Sequence, residues 1–379
     1  MCGKDTHFEF IDLFAGCGGL SLGLEQAGFS PCFMNEIVPT YAGTYRTNHR
    51  RLSDEQCYIG DIHDLVKQFD DFKKYFKGAK LVCGGPPCQG FSMANRQRVI
   101  DDPRNHLYKA YVEFLAKVRP EFFIMENVKG MMSRMEDIQA DFRKYLGKDY
   151  KFAFRLLNAA DFGVPQNRQR LVCIGNRVGV DPVVIFDKIE HTRYPKFVLK
   201  DALLGLPKLE ARREKNKGKL EDARSGFTRV AFTYREDAFY HFINGRKKLK
   251  ELLNHKNRFN NERDIEIFRR LPQGGNSLHP SITDIMPYGR RNGVFKDKYF
   301  KLEEDKVCRT ITSHMKFDCN MYIHPWEARG LSPREAARIQ TFPDDFILTG
   351  PQNSWYAQIG NAVPVKMAKA IGDVIARYL

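Results

Sequence analysis

One cysteine of this sequence stands where it could act as a nucleophile. Cys88 follows two prolines within residues 84–92, which are GGPPCQGFS, directly after the apolar run at 81–83. In an open α/β sheet, ligands bind beyond the carboxyl ends of the strands, so a thiol at such an end is well placed to react. A free thiol has a pKa of about 8.5 and needs positive neighbours to become nucleophilic. Candidates to supply that charge are Arg96, Arg98, Arg168 and Arg170. The alternative interpretation is an unreactive thiol, because most cysteines are unreactive.

A carboxylic acid and two arginines adjoin other apolar runs. Glu126 ends the run at 122–125, where partial desolvation is expected to raise its pKa and let it donate a proton. The alternative role for Glu126 is a carboxylate at the N-terminus of a following helix. Arg168 and Arg170 alternate within 166–170, so both are expected to point to the same side, towards an anionic or carbonyl oxygen.

A glycine-rich turn suggests a nucleotide-like cofactor. Residues 12–20, DLFAGCGGL, lie at a predicted strand-to-helix turn, where glycine permits positive φ angles and close backbone approach. Glu36 follows at a spacing suited to holding ribose hydroxyls, and Asp61 could accept the adenine amino proton. A tight turn alone would also explain the glycines, but three such elements in order favour an adenosine-type cofactor.

Alternating apolar runs and helical patterns must position these residues. Strands are predicted from Phe8 to Phe14 and at five later runs, namely Pro31–Met34, Lys80–Cys83, Phe122–Met125, Phe152–Leu157 and Leu171–Gly175. Helices are predicted at Leu20–Ala27, Leu107–Val118, Phe239–Leu253, Arg263–Leu271 and Val365–Tyr378, and a loop at Lys208–Arg224. The alternation predicts a doubly wound, Rossmann-like α/β sheet.

Charge and composition narrow the class of protein. The chain has 379 residues and a formal charge of +15, of which Lys188 to Arg309 hold 29 Lys and Arg against 17 Asp and Glu. A basic segment before the last elements indicates a surface for nucleic acid, with a merely solvated lysine-rich surface as the alternative. Nothing approaches a membrane span, and no signal peptide is expected. The nine scattered cysteines indicate free thiols, with Cys83 and Cys173 in the core.

The ordered motifs resemble those of the DNA cytosine-5 methyltransferase family, of the compact prokaryotic type. The resemblance spans most of the chain outside the basic segment. It is carried by FAGCGG at 14–19, PPCQ at 86–89, ENV at 126–128, QNRQR at 166–170, REAARIQTFPD at 334–344 and QIGNAV at 358–363.

This resemblance implies roles for the reactive residues. Cys88 would attack C6 of a flipped-out cytosine, Glu126 would protonate or hydrogen-bond N3, and Arg170 would hold O2 with support from Arg168 and Gln166. Methyl transfer to C5, loss of the C5 proton and elimination of Cys88 would follow.

The resemblance also implies the cofactor, S-adenosyl-L-methionine, with S-adenosyl-L-homocysteine as product. The cofactor-binding residues would be Phe14, Gly16, Gly18, Gly19, Glu36, Ile37, Asp61, Ile62, Pro87, Leu107, Asn361 and Ala362. Residues 89–105 correspond to a mobile catalytic loop, and the implied DNA-binding residues are Gln89, Ser92, Arg96, Arg98 and Gln166. No metal is expected, since Cys308, His314, Cys319 and His324 match no zinc spacing.

The implied domains are a discontinuous catalytic domain, 1–185 with 329–379, and a target recognition domain over 186–328. The expected partner is double-stranded DNA with a specific cytosine site, for a cytoplasmic prokaryotic monomer that acts beside a restriction endonuclease. Residues such as Arg258, Asn260, Arg290, Arg291 and Asn292 are of base-reading type, but the sequence does not say which of them reach bases. Alternatives are a tRNA cytosine-5 methyltransferase, a catalytically idle DNA-binding member and a dinucleotide oxidoreductase.

Overall fold

The chain folds into two compact units. The structure, a computed structural model, describes residues 8–87, 107–215, 217–287 and 298–379. The first unit contains the described residues within Met1–Gly163, Arg168–Pro195 and Ala362–Leu379, and the second contains those within Val164–Asn167 and Lys196–Asn361. The second unit thus extends beyond the predicted recognition segment to Asn361. A DNA-reading role for 186–328 stays a prediction.

A seven-stranded sheet, as far as the described residues show, forms the centre of the first unit. Its strands are β1 (Phe8–Leu13), β2 (Phe29–Glu36), β3 (Cys57–Ile59), β4 (Leu81–Gly84), β5 (Phe122–Val128), β6 (Lys151–Asn158) and β7 (Gln169–Asn176). The order is β3-β2-β1-β4-β5-β7-β6, with β1 to β5 parallel and β7 antiparallel to both of its neighbours. From the β1–β4 pair, β2 and β3 follow on one side, and β5, β7 and β6 follow on the other. In such a sheet, ligands bind beyond the carboxyl ends of the two central strands.

Helices cover this sheet in two groups. They are α1 (Gly19–Gln26), α2 (Pro39–Asn48), α3 (Ile62–Lys67), α4 (Phe69–Phe76), α5 (Leu107–Val118), α6 (Met135–Leu146), α7 (Pro182–His191) and α13 (Val365–Ile375). The α1 and α7 helices pack on α13, while α3 and α6 pack on α5. Aromatic side chains fill the second group's core, and Phe33, Phe76 and Phe114 stack edge to face there. The predicted doubly wound α/β fold is confirmed.

Short elements make up the second unit. They are α8 (Leu199–Leu203), β8 (Gly226–Ala231), α9 (Ala238–Asn244), β9 (Glu251–Lys256), α10 (Glu262–Arg270), α11 (Pro333–Ile339) and α12 (Gln352–Asn361). Strands β8 and β9 form an antiparallel pair. A small core surrounds Phe268, Tyr299 and Ile323.

One helix prediction was wrong in part. The helix predicted from Phe239 to Leu253 ends at Asn244, because Gly245 adopts a φ of 63° and redirects the chain. Leu252 and Leu253 then belong to β9, where they pair with Val230 and Arg229 of β8. The six predicted strands and the other predicted helices are present, with ends that differ by a few residues.

Two further sequence inferences concern the thiols and the membrane. The seven cysteines within the described ranges are free and buried, which confirms Cys83 and Cys173 as core residues. Among the helices that the structure describes, none has the length and apolar character that a bilayer crossing requires.

Candidate active site

The glycine-rich turn follows β1 at the carboxyl edge of the sheet. Phe14, Gly16 and Gly18 have φ angles of 56°, 58° and 90°, so the backbone reverses before α1 begins at Gly19. Gly18 has a second constraint. A Cβ there would lie 2.2 Å from Nε2 of His49, whose buried ring packs against the turn. A larger residue at this position would therefore displace the turn.

Glu36 ties this turn to the neighbouring strand. One of its carboxylate oxygens accepts from the Gly16 N–H at 2.8 Å, and the other accepts from the Val38 N–H at 2.8 Å. Burial raises the pKa of Glu36, and the bonds from Val38 and Gly16 oppose that rise. The Ile37 N–H also contributes a hydrogen bond to this carboxylate, which has about four acceptor positions and so retains capacity to accept a ribose hydroxyl.

Two apolar side chains near Glu36 are exposed to solvent. Ile37 is 60% exposed, and Ile59, which pairs with Glu36 across β2 and β3, is 43% exposed. Two bulky aliphatic groups at adjacent strand ends are suited to the face of an adenine ring. The sequence analysis missed Ile59 because β3 has three residues, too few for a periodic signal.

Asp61 and Ile62 begin α3 at the same edge. Asp61 caps this helix by accepting from the His63 N–H at 2.7 Å, so one of its oxygens is committed to structure. The Ile62 side chain is buried in the core. Any contact of Ile62 with a ligand would therefore come from its backbone.

Glu126 and Arg170 form an ion pair across β5 and β7. Arg170 Nε lies 2.8 Å from Glu126 Oε1, and the two side chains are 13% and 12% exposed. Glu126 lies opposite Val172 in the register, which makes Arg170 its diagonal neighbour. Burial lowers the pKa of Arg170, while Glu126 acts in the opposite direction. A guanidinium stays charged in either case.

The segment that leads to Cys88 is held next to this pair. Asn127 Nδ2 donates to the Pro86 carbonyl at 2.8 Å, which ties the end of β5 to the residues after β4. At Gly85, a Cβ would lie 3.2 Å from Glu126 Oε2, so the backbone passes directly by the carboxylate. Pro87 is half-buried and is the last described residue before Cys88. Cys88 itself, with Gln89, Ser92, Arg96 and Arg98, lies outside the described residues.

Arg168 and Gln166 serve as buried anchors within their own units. In the first unit, the Arg168 side chain is 1% exposed and donates from Nη2 to the Ala362 carbonyl at 2.9 Å. In the second unit, Gln166 is fully buried, and its Oε1 accepts from the Ile311 N–H at 2.8 Å. The DNA-binding role of Gln166 stays a prediction.

The remaining predicted cofactor residues are Leu107, Ala362 and Asn361. Leu107 begins α5 and is half-buried, and Ala362 is half-buried in the first unit. Asn361 is exposed at the end of α12 in the second unit. The first unit therefore gathers the glycine turn, Glu36, Asp61 and the Glu126–Arg170 pair at the carboxyl ends of β1, β2, β3 and β5.

Comparison with known proteins identifies the family. The model for C-5 cytosine-specific DNA methylases matches residues 8–377. The chain belongs to this family. It is accordingly an enzyme of the DNA cytosine-5 methyltransferase class, as the sequence analysis predicted.

Individual relatives agree over nearly the whole chain. Type II methyltransferase M1.HphI of Haemophilus parahaemolyticus is 33% identical, over 97% of this chain and 86% of the relative. Type II methyltransferase M.DdeI of Desulfomicrobium norvegicum is also 33% identical, over 98% and 89%. A solved structure from Escherichia coli, provisionally assigned as a prophage-encoded DNA modification methyltransferase, superposes with a TM-score of 0.77. It is 25% identical, over 98% of this chain and 99% of that one.

Proposed function

We propose that this methyltransferase transfers a methyl group from S-adenosyl-L-methionine to C5 of a flipped-out cytosine, through a covalent bond between Cys88 and C6. The observation that carries the proposal is the Glu126–Arg170 pair beside the segment that leads into Cys88. An acid, a fixed cation and a thiol are the groups that activation of a cytosine ring requires.

Cys88 and Glu126 have different roles in the proposed reaction. The Cys88 thiolate adds to C6 while Glu126 hydrogen-bonds or protonates N3, so the electron pair of the ring moves towards C5. C5 then takes the methyl group, its proton leaves to a base, and the Cys88 thiolate departs as the C5–C6 double bond re-forms. The products are 5-methylcytosine and S-adenosyl-L-homocysteine.

Arg170 is proposed to hold the cytosine through O2. In the described part of the chain, its Nε faces Glu126 and its Nη1 donates to the Gln169 carbonyl at 2.7 Å. A guanidinium has five N–H groups, so donors remain for a carbonyl oxygen. Arg168, anchored to Ala362, would keep the start of β7 in place.

The cofactor proposal rests on the open edge of β1, β2 and β3. When bound, S-adenosyl-L-methionine supplies an electrophilic methyl group. The turn at Phe14 to Gly19 would hold its methionine part, Glu36 the ribose, and Ile37 with Asp61 and the Ile62 backbone the adenine. The exposed Ile37 and the spare acceptor capacity of Glu36 fit this group. Pro87, Leu107 and Ala362 would complete the site.

The biological setting is also a proposal. The named relatives are type II methyltransferases, which supports a role in protecting host DNA beside a restriction endonuclease. We propose that the enzyme acts as a monomer on a specific double-stranded sequence, and that residues 186–328 select that sequence.

Two experiments test this function. Purified enzyme with labelled S-adenosyl-L-methionine should methylate duplex DNA, and Cys88→Ser should lose that activity while it retains DNA binding. Turnover by Cys88→Ser would refute the covalent mechanism. Sequencing of 5-methylcytosine in DNA from expressing cells should show one methylated motif, whereas methylation of tRNA in place of DNA would refute the proposed substrate.

A further inference from the structure

Phe317 is the most exposed large apolar side chain among the described residues, at 64%. Single exposed apolar residues are common on soluble proteins, so exposure alone assigns no role. The support beneath Phe317 and the charges around it distinguish it from the others.

The backbone before Phe317 is fixed by a half-buried cation. Residues Ser313–Lys316 form a short 3₁₀ turn. Arg258, which follows β9, donates from Nη1 to the Met315 carbonyl at 2.7 Å and from Nη2 to the Phe317 carbonyl at 2.6 Å. Both carbonyls at the end of the turn are therefore held by one guanidinium.

The other side of the turn packs on α12. A Cβ at Gly360 would lie 2.2 Å from the Ser313 nitrogen, so the helix and the turn touch through their backbones. Met315 points inwards and is fully buried. The turn is thus ordered before any partner arrives, which lowers the entropic cost of using Phe317 in binding.

The surroundings of the ring carry mostly N–H donors. Lys316 Nζ lies 4.8 Å from the centroid of the Phe317 ring, and the exposed His314 ring lies 5.3 Å away. The nearby acid is Asp318, whose carboxylate is 3.9 Å from His314 Nε2, too far for a hydrogen bond. An aromatic face beside a lysine and a histidine suits a partner that offers both flat bases and phosphates.

We propose that Phe317 contacts the duplex DNA substrate, with its ring inserted at a base step that unstacks and stacked on the base exposed there, while Lys316 and His314 face the phosphates. This inference takes the identity of the substrate from the proposed function. It goes further by assigning one DNA-contacting aromatic residue to the second unit. It does not depend on the covalent step at Cys88.

Trp326 provides a matched control. This aromatic residue of the same unit is 43% exposed, but its indole N–H donates to Glu304 Oε2 at 2.8 Å. A carboxylate beside the ring would repel phosphate, so we expect no DNA contact from Trp326.

The test measures the affinity of the full-length enzyme for a fluorescent duplex that contains its methylated motif, at fixed salt. Stacking on one base contributes about 1–3 kcal/mol, so Phe317→Ala should weaken binding roughly tenfold to a hundredfold. Phe317→Trp should stay within about threefold of wild type, because the aromatic face is kept. Trp326→Ala should bind as wild type does. Lys316→Ala should reduce the salt dependence of binding by about one phosphate contact.

Two outcomes would overturn the proposal. One is wild-type DNA affinity in Phe317→Ala, and the other is an equal loss in Trp326→Ala. Affinity for S-adenosyl-L-methionine should be unchanged in Phe317→Ala, and its loss would show a folding defect and count against a DNA contact. A wild-type enzyme that binds the duplex but fails to methylate it would refute the proposed function and leave this inference standing.

Discussion

Within the described residues, each unit of the enzyme contains an arginine–glutamate pair that is largely shielded from solvent, and the Glu126–Arg170 and Glu335–Arg329 pairs differ in burial. Glu126 and Arg170 lie at the strand ends of the first unit with 12% and 13% of their side chains exposed. Glu335 and Arg329 in the second unit are 2% and 1% exposed. Arg329 grips Glu335 with two hydrogen bonds of 2.8 and 2.7 Å, and Glu335 also accepts from the Ser332 N–H at the start of α11.

The difference in burial separates chemistry from architecture. A pair at the ligand-binding edge of the sheet keeps hydrogen-bond donors and acceptors that a substrate can use. In a fully buried pair, these groups already bond to other residues of the protein. Burial by itself raises the pKa of Glu335, but Arg329 more than reverses this and holds that pKa well below its usual range. The Glu335 carboxylate is therefore ionised and fully committed. Substitutions in the two pairs should accordingly damage different properties.

The largest effect is expected at the first pair. Glu126→Gln removes the proton donor at N3, so the rate of methyl transfer should fall by roughly 10² to 10⁴. Single-turnover methylation with saturating duplex measures this rate. The unfolding midpoint in urea should move little, because the site is at the edge of the sheet. A rate within tenfold of wild type would contradict the assignment of Glu126.

The second pair should show the opposite pattern. Glu335→Gln removes the more buried of the two carboxylates that contact the Arg329 cation and leaves Glu327 as its counter-charge, so it should cost about 1–3 kcal/mol of unfolding free energy. Urea denaturation measures the loss. The double variant Arg329→Met with Glu335→Leu should recover much of it, because both fully buried charges are then removed and Glu327, which is 17% exposed, still accepts from the Leu209 N–H. A loss below about 1 kcal/mol in the single variant would show that the pair does not stabilise the unit.

Acid should also affect the second unit selectively. Burial lowers the pKa of His255 to about 4 and that of His324 to about 3. An unfolded histidine takes up a proton below about pH 6.5, whereas these two stay neutral when folded. The unfolding free energy should therefore fall as pH drops from about 6.5 towards 4, by about 1.4 kcal/mol per pH unit for each histidine.

Asp12, a buried acid of the first unit, should change the unfolding free energy with pH in the opposite direction. Burial raises the pKa of Asp12 to about 7, while its bond from Ser21 opposes the rise. Its contribution is present below about pH 4 and is lost as pH rises through 7.

Urea titrations at several pH values should show that His255→Gln reduces the loss of stability in acid. If the unfolding free energy of His255→Gln falls with pH as steeply as that of the wild type, His255 does not cause the loss of stability in acid.

The smallest effect is expected at the exposed Ile37. Ile37→Ser should weaken binding of S-adenosyl-L-methionine about threefold to tenfold, because part of one aliphatic contact, about 1 kcal/mol, is lost. Isothermal titration calorimetry measures this affinity. Val184→Ser, at a 44% exposed position of α7, is the matched control and should bind as wild type does. Equal affinities in all three proteins would remove Ile37 from the cofactor site.

The two units also differ in how far sequence patterns predict them. In the first unit, parallel strands end at one edge, so residues after successive apolar runs are brought together by topology. Glu36 and Glu126 could be placed in this way, and both lie at that edge. What the pattern could not give was the partner of each group, such as the Asn127 bond to Pro86 or the contact of Gly18 with His49, since both join residues distant in sequence.

In the second unit, several charged residues are buried although their type predicts exposure. Arg334 is fully buried and donates to the carbonyls of Leu253, Pro343 and Phe346, which organises the unit around one guanidinium. Periodicity analysis treats such an arginine as exposed. Arg258, which the sequence analysis named as a residue of base-reading type, likewise donates to the Met315 and Phe317 carbonyls and holds the turn that presents Phe317.

One measurement tests covalent catalysis by Cys88, the central claim, most directly. A duplex with 5-fluorocytosine at the methylated position should form a denaturation-resistant, one-to-one complex with the enzyme in the presence of S-adenosyl-L-methionine, because fluorine at C5 cannot leave as the proton does. Cys88→Ser should form none. An active wild-type enzyme that forms no such complex, or a complex that persists in Cys88→Ser, would contradict the account.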